Sequence, residues 1–308
     1  MSSIKTGKVF RSTGSWYVVE TCDGTSVLCK LKGRFKIEGL RNTNPLAVGD
    51  TVDFKMLPDG ETGLIERIHD RNNYLIRRAT KLSKATHIIA ANVDQMVLIV
   101  SLVKPRTSTG FIDRLLVTAE AYHIPSLIVF NKYDIYNAEQ EVLLAEYRQA
   151  YEAAGYQCVY TSATKKINLD VFQSELNGKI SLLSGHSGVG KSALINAVDP
   201  HLNLKEGAIS QAHLKGKHTT TFAEMFPLSF GGFIIDTPGI KEFGLVAFEK
   251  PELGQRFPEI RHRMDQCRFN NCLHVSEPGC AVIKAVNEGE IPEFRYINYL
   301  NMLSEIEE

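Results

Sequence analysis

The chain is poor in cysteine, carries one tryptophan and no net charge, and has no long uninterrupted apolar run. Each shortage excludes something. Six cysteines in 308 residues are too few for a disulfide scaffold, and a reducing compartment follows. Basic and acidic side chains balance at 35 each, so any nucleic-acid binding has to come from local patches rather than global attraction. The longest apolar stretch, 88 to 103, is broken by Asn92, Asp94 and Gln95, which rules it out as a membrane span. Lys5, Lys8 and Arg11 lie near the start, but no apolar run follows to make a signal peptide. No internal repeat or low-complexity tract is present. The expectation is a cytoplasmic, monomeric protein without a membrane partner.

What is present is an ordinary globular composition, 44% hydrophobic and 23% charged, on a chain long enough for two or three domains. One stretch organises the rest. Lys179-Ile-Ser-Leu-Leu-Ser-Gly185-His186-Ser187-Gly188-Val189-Gly190-Lys191-Ser192 reads as a strand, a phosphate-cradling loop and a helix start, with Ala193 to Ala197 continuing the helix. The three glycines let the backbone turn N–H groups onto phosphate oxygens, and the helix N-terminus adds its positive dipole end. Lys191 reaches the β- and γ-phosphates and Ser192 ligates Mg²⁺. Gly185 to Ala193 is the phosphate-binding set. Such a loop does not separate GTP from ATP.

Upstream, five short β-type runs (Gly7 to Phe10, Trp16 to Val19, Ser26 to Cys29, Asp50 to Phe54, Gly63 to Glu66) alternate with turns at Asp23-Gly24 and Asp59-Gly60. Five strands without a long helix predict a small closed barrel, with the OB-fold leading. Lys30, Lys32, Arg34, Lys36 and Arg41 cluster there, as a solvated face or an RNA contact. Residues 71 to 93 hold no acid but contain Arg71, Arg77, Arg78, Lys81 and Lys84, which reads as a basic connector, either a plain linker or an extension of that track. From about Ile88 strands and helices alternate: a strand over Val93 to Val100, a helix over Phe111 to Tyr122, a strand over Ser126 to Phe130, a helix over Ala138 to Ala154, a strand over Gln157 to Tyr160 and a helix over Leu169 to Leu176. This predicts a parallel, doubly wound sheet with its site at the carboxyl ends of the strands. After the loop helix, 202 to 222 reads as a mobile loop, 223 to 235 as a hairpin, and the remainder as helical around a Cys/His knot.

The base-reading residues fall at strand ends. In Asn131-Lys132-Tyr133-Asp134, Asp134 accepts from guanine N1–H and N2–H, the Lys132 stem packs along the base, and Asn131 braces the loop. In Thr161-Ser162-Ala163, the Ala163 N–H meets guanine O6. Adenine presents the reverse donor pattern and leaves Asp134 unpaired, so GTP is favoured. Asp236-Thr-Pro-Gly239 supplies a Mg²⁺-side carboxylate and a glycine that senses the γ-phosphate. The threonines of Gly216-Lys-His-Thr-Thr-Thr221 are first-switch candidates, Thr220 being assigned to Mg²⁺. Ile240 follows the Asp-x-x-Gly glycine, where Ras-like enzymes place a water-orienting glutamine. His218 is the candidate replacement, catalytic together with Lys191.

Near the end, Cys267-x4-Cys272-x-His274-x5-Cys280 offers three thiolates and an imidazole, a closed set suited to one structural Zn²⁺. Cys22, Cys29 and Cys158 fall in strand patterns and are assigned to cores. The motif order is permuted: the guanine readers precede the phosphate loop and Asp236-x-x-Gly239 comes last, as circular permutation allows.

This ordered set, flanked by the barrel and the Cys/His cluster, resembles the RsgA (YjeQ/YloQ) family of circularly permuted GTPases. The resemblance implies three domains: an OB-fold barrel over 1–72, a permuted GTPase domain over 73–245 and a helical zinc domain over 246–308. It also implies a late maturation factor that hydrolyses GTP on the small ribosomal subunit and contacts its rRNA. Two other readings stand beside it: an RNA-binding scaffold with structurally bound GTP, kept open by Ile240, and an ATP-dependent RNA enzyme, disfavoured by Asp134.

Overall fold

The computed structural model describes residues 4–32, 45–78, 86–204, 223–236 and 249–306. Five strands open the chain: β1 (Ile4–Ser12), β2 (Tyr17–Thr21), β3 (Ser26–Leu31), β4 (Thr51–Met56) and β5 (Thr62–Ile68). β1 pairs with both β2 and β4, and β3 pairs in parallel with β5, so the ring 1-2-3-5-4 closes on itself. Closure follows from strict alternation. In β3, Val27 and Cys29 point inward while Ser26, Leu28 and Lys30 face out, and the inward residues of all five strands make one core with Phe54 and Ile65. Gly63 is small because a Cβ there would lie 2.5 Å from the Cys29 sulfur. The expected barrel is therefore present. Cys22, expected in a core, is exposed in the β2–β3 turn; the strand stops one residue before it. Of the basic residues noted earlier, Arg34, Lys36, Arg41, Lys81 and Lys84 lie outside the described residues.

The expected basic connector is instead a hairpin of β6 (Tyr74–Arg78) and β7 (Thr86–Ala91), paired antiparallel. Leu75, Ile88, Ala90 and Ala91 are its buried positions among the described side chains, an apolar pattern hidden beneath the charge run. Arg71 does not extend a phosphate track. Its guanidinium forks onto the buried Asp50 carboxylate at 2.6 Å through both Nε and Nη2 and donates to the Pro45 carbonyl. Gly49, at φ +93°, lets the barrel backbone touch the Ala91 carbonyl, where any Cβ would clash at 2.0 Å. The hairpin is thus bolted to the barrel.

The α/β unit then runs β8 (Gln95–Val100), α1 (Thr109–Ala121), β9 (Ser126–Phe130), α2 (Ala138–Ala153), β10 (Gln157–Tyr160), α3 (Leu169–Leu176), β11 (Ile180–Ser184), α4 (Lys191–Val198), β12 (Glu224–Pro227) and β13 (Phe233–Asp236). Its strand order is 10-9-8-11-13-12, parallel except for β12. Residues of β8 and β11 are buried throughout, as strands covered on both faces must be. Leu115, Leu116 and Tyr151 of α1 and α2 fill one face, and Phe172, Leu194 and Ile195 of α3 and α4 the other. Helix starts are capped locally: Ser108 accepts from the Phe111 N–H, and Asn137 and Gln140 form a reciprocal capping box. The edge strand β12 also meets β1 at Arg11↔Glu224, so barrel and α/β sheet are hydrogen-bonded into one eleven-stranded surface.

The tail packs α5 (Lys250–Gln255), α6 (Pro258–Arg261), α7 (Ala281–Asn287) and α8 (Glu293–Glu305) around a core that includes Val117 of α1. Arg295 of α8 is the pin. It is buried, bonds Glu259 through Nε (2.6 Å) and Nη2 (3.1 Å), and bonds Asp113 of α1 through Nη1 at 2.5 Å. Tyr151 and Asn298 also donate to Asp113. Burial raises the Asp113 carboxyl above the usual range while these donors pull it back. For Arg295, burial opposes the charge, but Asp113 and Glu259 outweigh it and keep the guanidinium ionised. Among the described residues no helix is long and apolar enough to cross a membrane.

Candidate functional site

The carboxyl ends of β8, β9, β10, β11 and β13 point the same way, and the loops there bring the motifs together. The phosphate loop leaves β11 through Gly185 at φ +142°, where a Cβ would lie 2.1 Å from the Ile99 carbonyl oxygen. It enters α4 through Gly190 at φ +95°, where a Cβ would lie 2.5 Å from Asn131 Nδ2. Only glycine fits either place. Between them Ser187 and Gly188 are exposed, His186 stacks on Phe111 with ring centroids 3.7 Å apart, and Val189 anchors the loop in the core.

Lys191 and Ser192 lie buried at the start of α4, and Ala193 is exposed. The Lys191 ammonium bonds the Gly185 carbonyl (2.7 Å) and the His186 carbonyl (2.8 Å), a cationic centre ringed by the loop's own backbone. Asp236, at the end of β13, faces this lysine. Burial raises its carboxyl to about 7, with Lys191 opposing the shift and Glu224 adding to it. A half-buried carboxylate and a buried hydroxyl beside a cation-centred amide loop form a donor set suited to a divalent cation accompanying a polyphosphate.

The Asn131 motif docks directly on the loop. Asn131 is buried; its Nδ2 donates to the Val189 carbonyl (2.9 Å) and its Oδ1 accepts from Thr161. Lys132, at φ +66°, stretches across so that Nζ reaches the Gly188 carbonyl (2.6 Å) and the Lys104 carbonyl. Desolvation lowers its pKa, with Asp134 opposing. The Tyr133 ring turns the other way, onto Tyr160 and Tyr136, and its hydroxyl donates to Glu141. Asp134 accepts from Ser162 (2.5 Å) and Thr164 (2.9 Å). Burial works to raise its pKa, but these hydroxyl donors outweigh it and the carboxylate stays below its ordinary range. Ala163 follows Ser162 on the same turn.

The structure therefore brings Asn131, Lys132, Asp134, Ser162, the phosphate loop, Ser192 and Asp236 together at the carboxyl ends of the strands. His218, Thr220, Thr237, Gly239 and Ile240 lie outside the described residues. Three participants were not foreseen: Thr164, Phe111 and the Lys104 carbonyl. Of these only Thr164 carried a sequence signal, its adjacency to Ser162-Ala163; Thr161 stood in the motif, but its bond to Asn131 was not assigned.

In the tail, one ligand atom from each of Cys267, Cys272, His274 and Cys280 lies within 4.8 Å of the others, a group able to hold a metal ion. His274 presents Nδ1 to the sulfurs of Cys267 (3.6 Å) and Cys280 (3.4 Å), and those two sulfurs are 3.9 Å apart. Burial pushes the Cys272 thiol up to about 12 and the Cys280 thiol upward as well, and lowers the His274 pKa. Glu277 fixes the connecting loop by accepting from the backbone N–H groups of Leu273, Val275 and Ser276. Tyr296 and Tyr299 of α8 donate to the His274 and Leu273 carbonyls, tying the cluster to the same helix that carries Arg295.

Residues 6–65 match the family profile described as RsgA N-terminal domain, and residues 68–246 match RsgA GTPase. The chain belongs to the RsgA family. A member from Christiangramia forsetii, named small ribosomal subunit biogenesis GTPase RsgA, is 50% identical over 96% of this chain and 95% of its own. A member of the same name from Phocaeicola vulgatus is 52% identical over 98% and 97%. Among solved structures, YjeQ from Thermotoga maritima superposes with a TM-score of 0.78 at 35% identity, covering 99% of both chains. YloQ, described as a circularly permuted GTPase, gives 0.76 at 32% identity, covering 99% of this chain and 95% of its own. The RsgA fold of barrel, permuted GTPase sheet and Cys/His-bearing tail is thus the fold of this chain.

Proposed function

We propose that this protein hydrolyses GTP to GDP and phosphate as a late maturation factor of the small ribosomal subunit, binding its rRNA and stimulated by the subunit. The carrying observation is the docking of the guanine-reading loop on the phosphate loop: Asn131 and Lys132 bond the Val189 and Gly188 carbonyls, so base and phosphates are read by one rigid unit. Asp134, held ionised by Ser162 and Thr164, accepts from guanine N1–H and N2–H. Lys191 and the loop amides hold the phosphates, exchanging the Gly185 and His186 carbonyls for phosphate oxygens. Ser192 and Asp236 would hold Mg²⁺, which supplies charge neutralisation at the β- and γ-phosphates. The named relatives, RsgA proteins of small-subunit biogenesis, support the ribosomal assignment. The division into barrel (1–72), GTPase (73–245) and tail (246–308) belongs to the same reading, as do Tyr133, Ala193, Gly239, Thr220 and His218 in their assigned roles, a monomeric state and a cytoplasmic setting.

One Zn²⁺ in the tail is part of the proposal. A tetrahedral site with Zn–S bonds of about 2.3 Å has ligand edges of roughly 3.8 Å; the separations among Cys267, His274 and Cys280, 3.4 to 3.9 Å, match it, and all four ligand atoms lie within 4.8 Å of one another. Four protein ligands leave no open position, so the ion's role is structural.

Single-turnover GTP hydrolysis with and without purified small subunits tests the function. A subunit-dependent acceleration is expected. Binding of GTP with no hydrolysis in either condition would favour the scaffold reading instead, and equal competition by ATP would overturn the guanine assignment.

A further inference from the structure

The junction between barrel and GTPase sheet places three charges in one row. Arg11 of β1 stands directly opposite Glu224 of β12, and Glu224 stands directly opposite Asp236 of β13. Directly opposed residues of antiparallel strands project to the same face, about 5 Å apart. The Arg11 guanidinium lies 3.6 Å from the Glu224 carboxylate. Two carboxylates facing each other across a ladder are destabilising unless cations compensate them. Here compensation comes from both ends, Arg11 on the barrel side and the Lys191 and metal-binding side beyond Asp236.

We propose that Glu224 is a positioning residue for the divalent cation at Asp236, and that Arg11 sets its strength, so that the barrel tunes the metal end of the nucleotide site. This deepens the GTPase reading and rests on it. The Glu224 carboxylate adds negative potential beside Asp236, which favours a bound cation and disfavours bare polyphosphate. Arg11 offsets that potential as long as β1 stays paired to β12. The barrel's only ladder contact with the α/β sheet is at this pair among the described residues. A displacement of the barrel that unpairs β1 from β12 therefore removes the Arg11 charge from Glu224. Arg11 and Glu224 are both about half exposed, so the effect is a tuning of two- to threefold rather than a switch.

The test uses the full chain with a fluorescent GDP analogue, measuring its dissociation rate as Mg²⁺ is titrated, and its affinity in excess chelator. Glu224→Gln is expected to raise the Mg²⁺ midpoint two- to threefold and to tighten metal-free GDP binding. Arg11→Ala is expected to lower the midpoint by a similar factor, Arg11→Lys to restore it, and Arg11→Ala to have no effect in the Glu224→Gln background. Circular dichroism melts of each variant confirm folding. An unmoved midpoint in Glu224→Gln, or a full-sized Arg11→Ala effect in its background, overturns the inference while leaving the GTPase reading intact. If the unaltered chain binds no GDP, the site reading fails and the inference with it.

Discussion

Replacing Arg295 with alanine probes the joint between the tail and the GTPase domain. The guanidinium makes three charge-assisted bonds, two to Glu259 and one to Asp113, and lies 4.8 Å from the Phe257 ring centroid and 5.3 Å from that of Tyr151. Alanine leaves Asp113, fully buried, with only Tyr151 and Asn298 as donors, and leaves Glu259 with a buried negative charge. Removing one partner of such a pair costs about 3–5 kcal/mol, a large share of the roughly 5–15 kcal/mol that holds a domain folded. The loss centres on α8, because Arg295 reaches the α/β unit through Asp113 of α1 and the rings of Tyr151 and Tyr156 rather than through β8 or β11. Hydrogen exchange separates the cases. Amides of α8 should lose two to more than three orders of magnitude in protection, by about 1.4 kcal/mol per decade, while amides of β8 and β11 change far less. The triple replacement Arg295→Met, Asp113→Asn and Glu259→Gln, which leaves no orphaned charge, should be less costly than Arg295→Ala alone. A loss under tenfold in α8, or an equal loss in β8, would refute the claim that this network is the tail's pin.

Other outcomes follow from the same geometry. Asp134→Asn removes an ionised acceptor for two guanine donors, and GTP affinity should fall by about 10²-fold or more while xanthosine nucleotides, whose C2 carbonyl accepts from the new amide, gain; competition binding checks it. Asp236 has its pKa raised to about 7 in the folded state, so between its unfolded value near 4 and about 7 the native state holds the extra proton. Stability of the nucleotide-free protein therefore falls as pH rises through that window, and Mg²⁺-dependent GDP binding should strengthen up to about pH 7 and then level off. Asp236→Asn should abolish that slope, measurable by GDP titrations at a series of pH values. Lys191→Ala should abolish hydrolysis in a single-turnover assay yet leave one zinc per chain by metal analysis. Cys267→Ser should lower zinc content and α8 protection together, with GDP affinity read by the same titration staying within a few-fold.

The local chemistry was legible in the sequence because it is contiguous. Phosphate cradling needs glycines a few residues apart, and Gly185, Gly188 and Gly190 stand at positive φ as the spacing required. Strand alternation likewise foretold the barrel, and helical periodicity foretold α1 to α3. The permuted order of motifs pointed to the family, since no short motif alone could. What misled was charge overlying periodicity: the basic stretch around Arg71 hid a hairpin, and Arg71 itself serves Asp50 rather than a phosphate.

Only the tertiary structure decided the long-range joints. Arg295 with Asp113 lies 182 residues apart in the chain, and nothing near either residue announces the other. The pairing of Arg11 with Glu224 exists only because the edge strand β12 of the α/β sheet meets the end of β1 that runs on past its pairing with β4. Such contacts depend on where elements dock, which is set by the summed burial of many side chains rather than by any local pattern. The sequence determined what each module can do, and the packing of α8 on α1 and of β1 on β12 decided how the modules can feel one another.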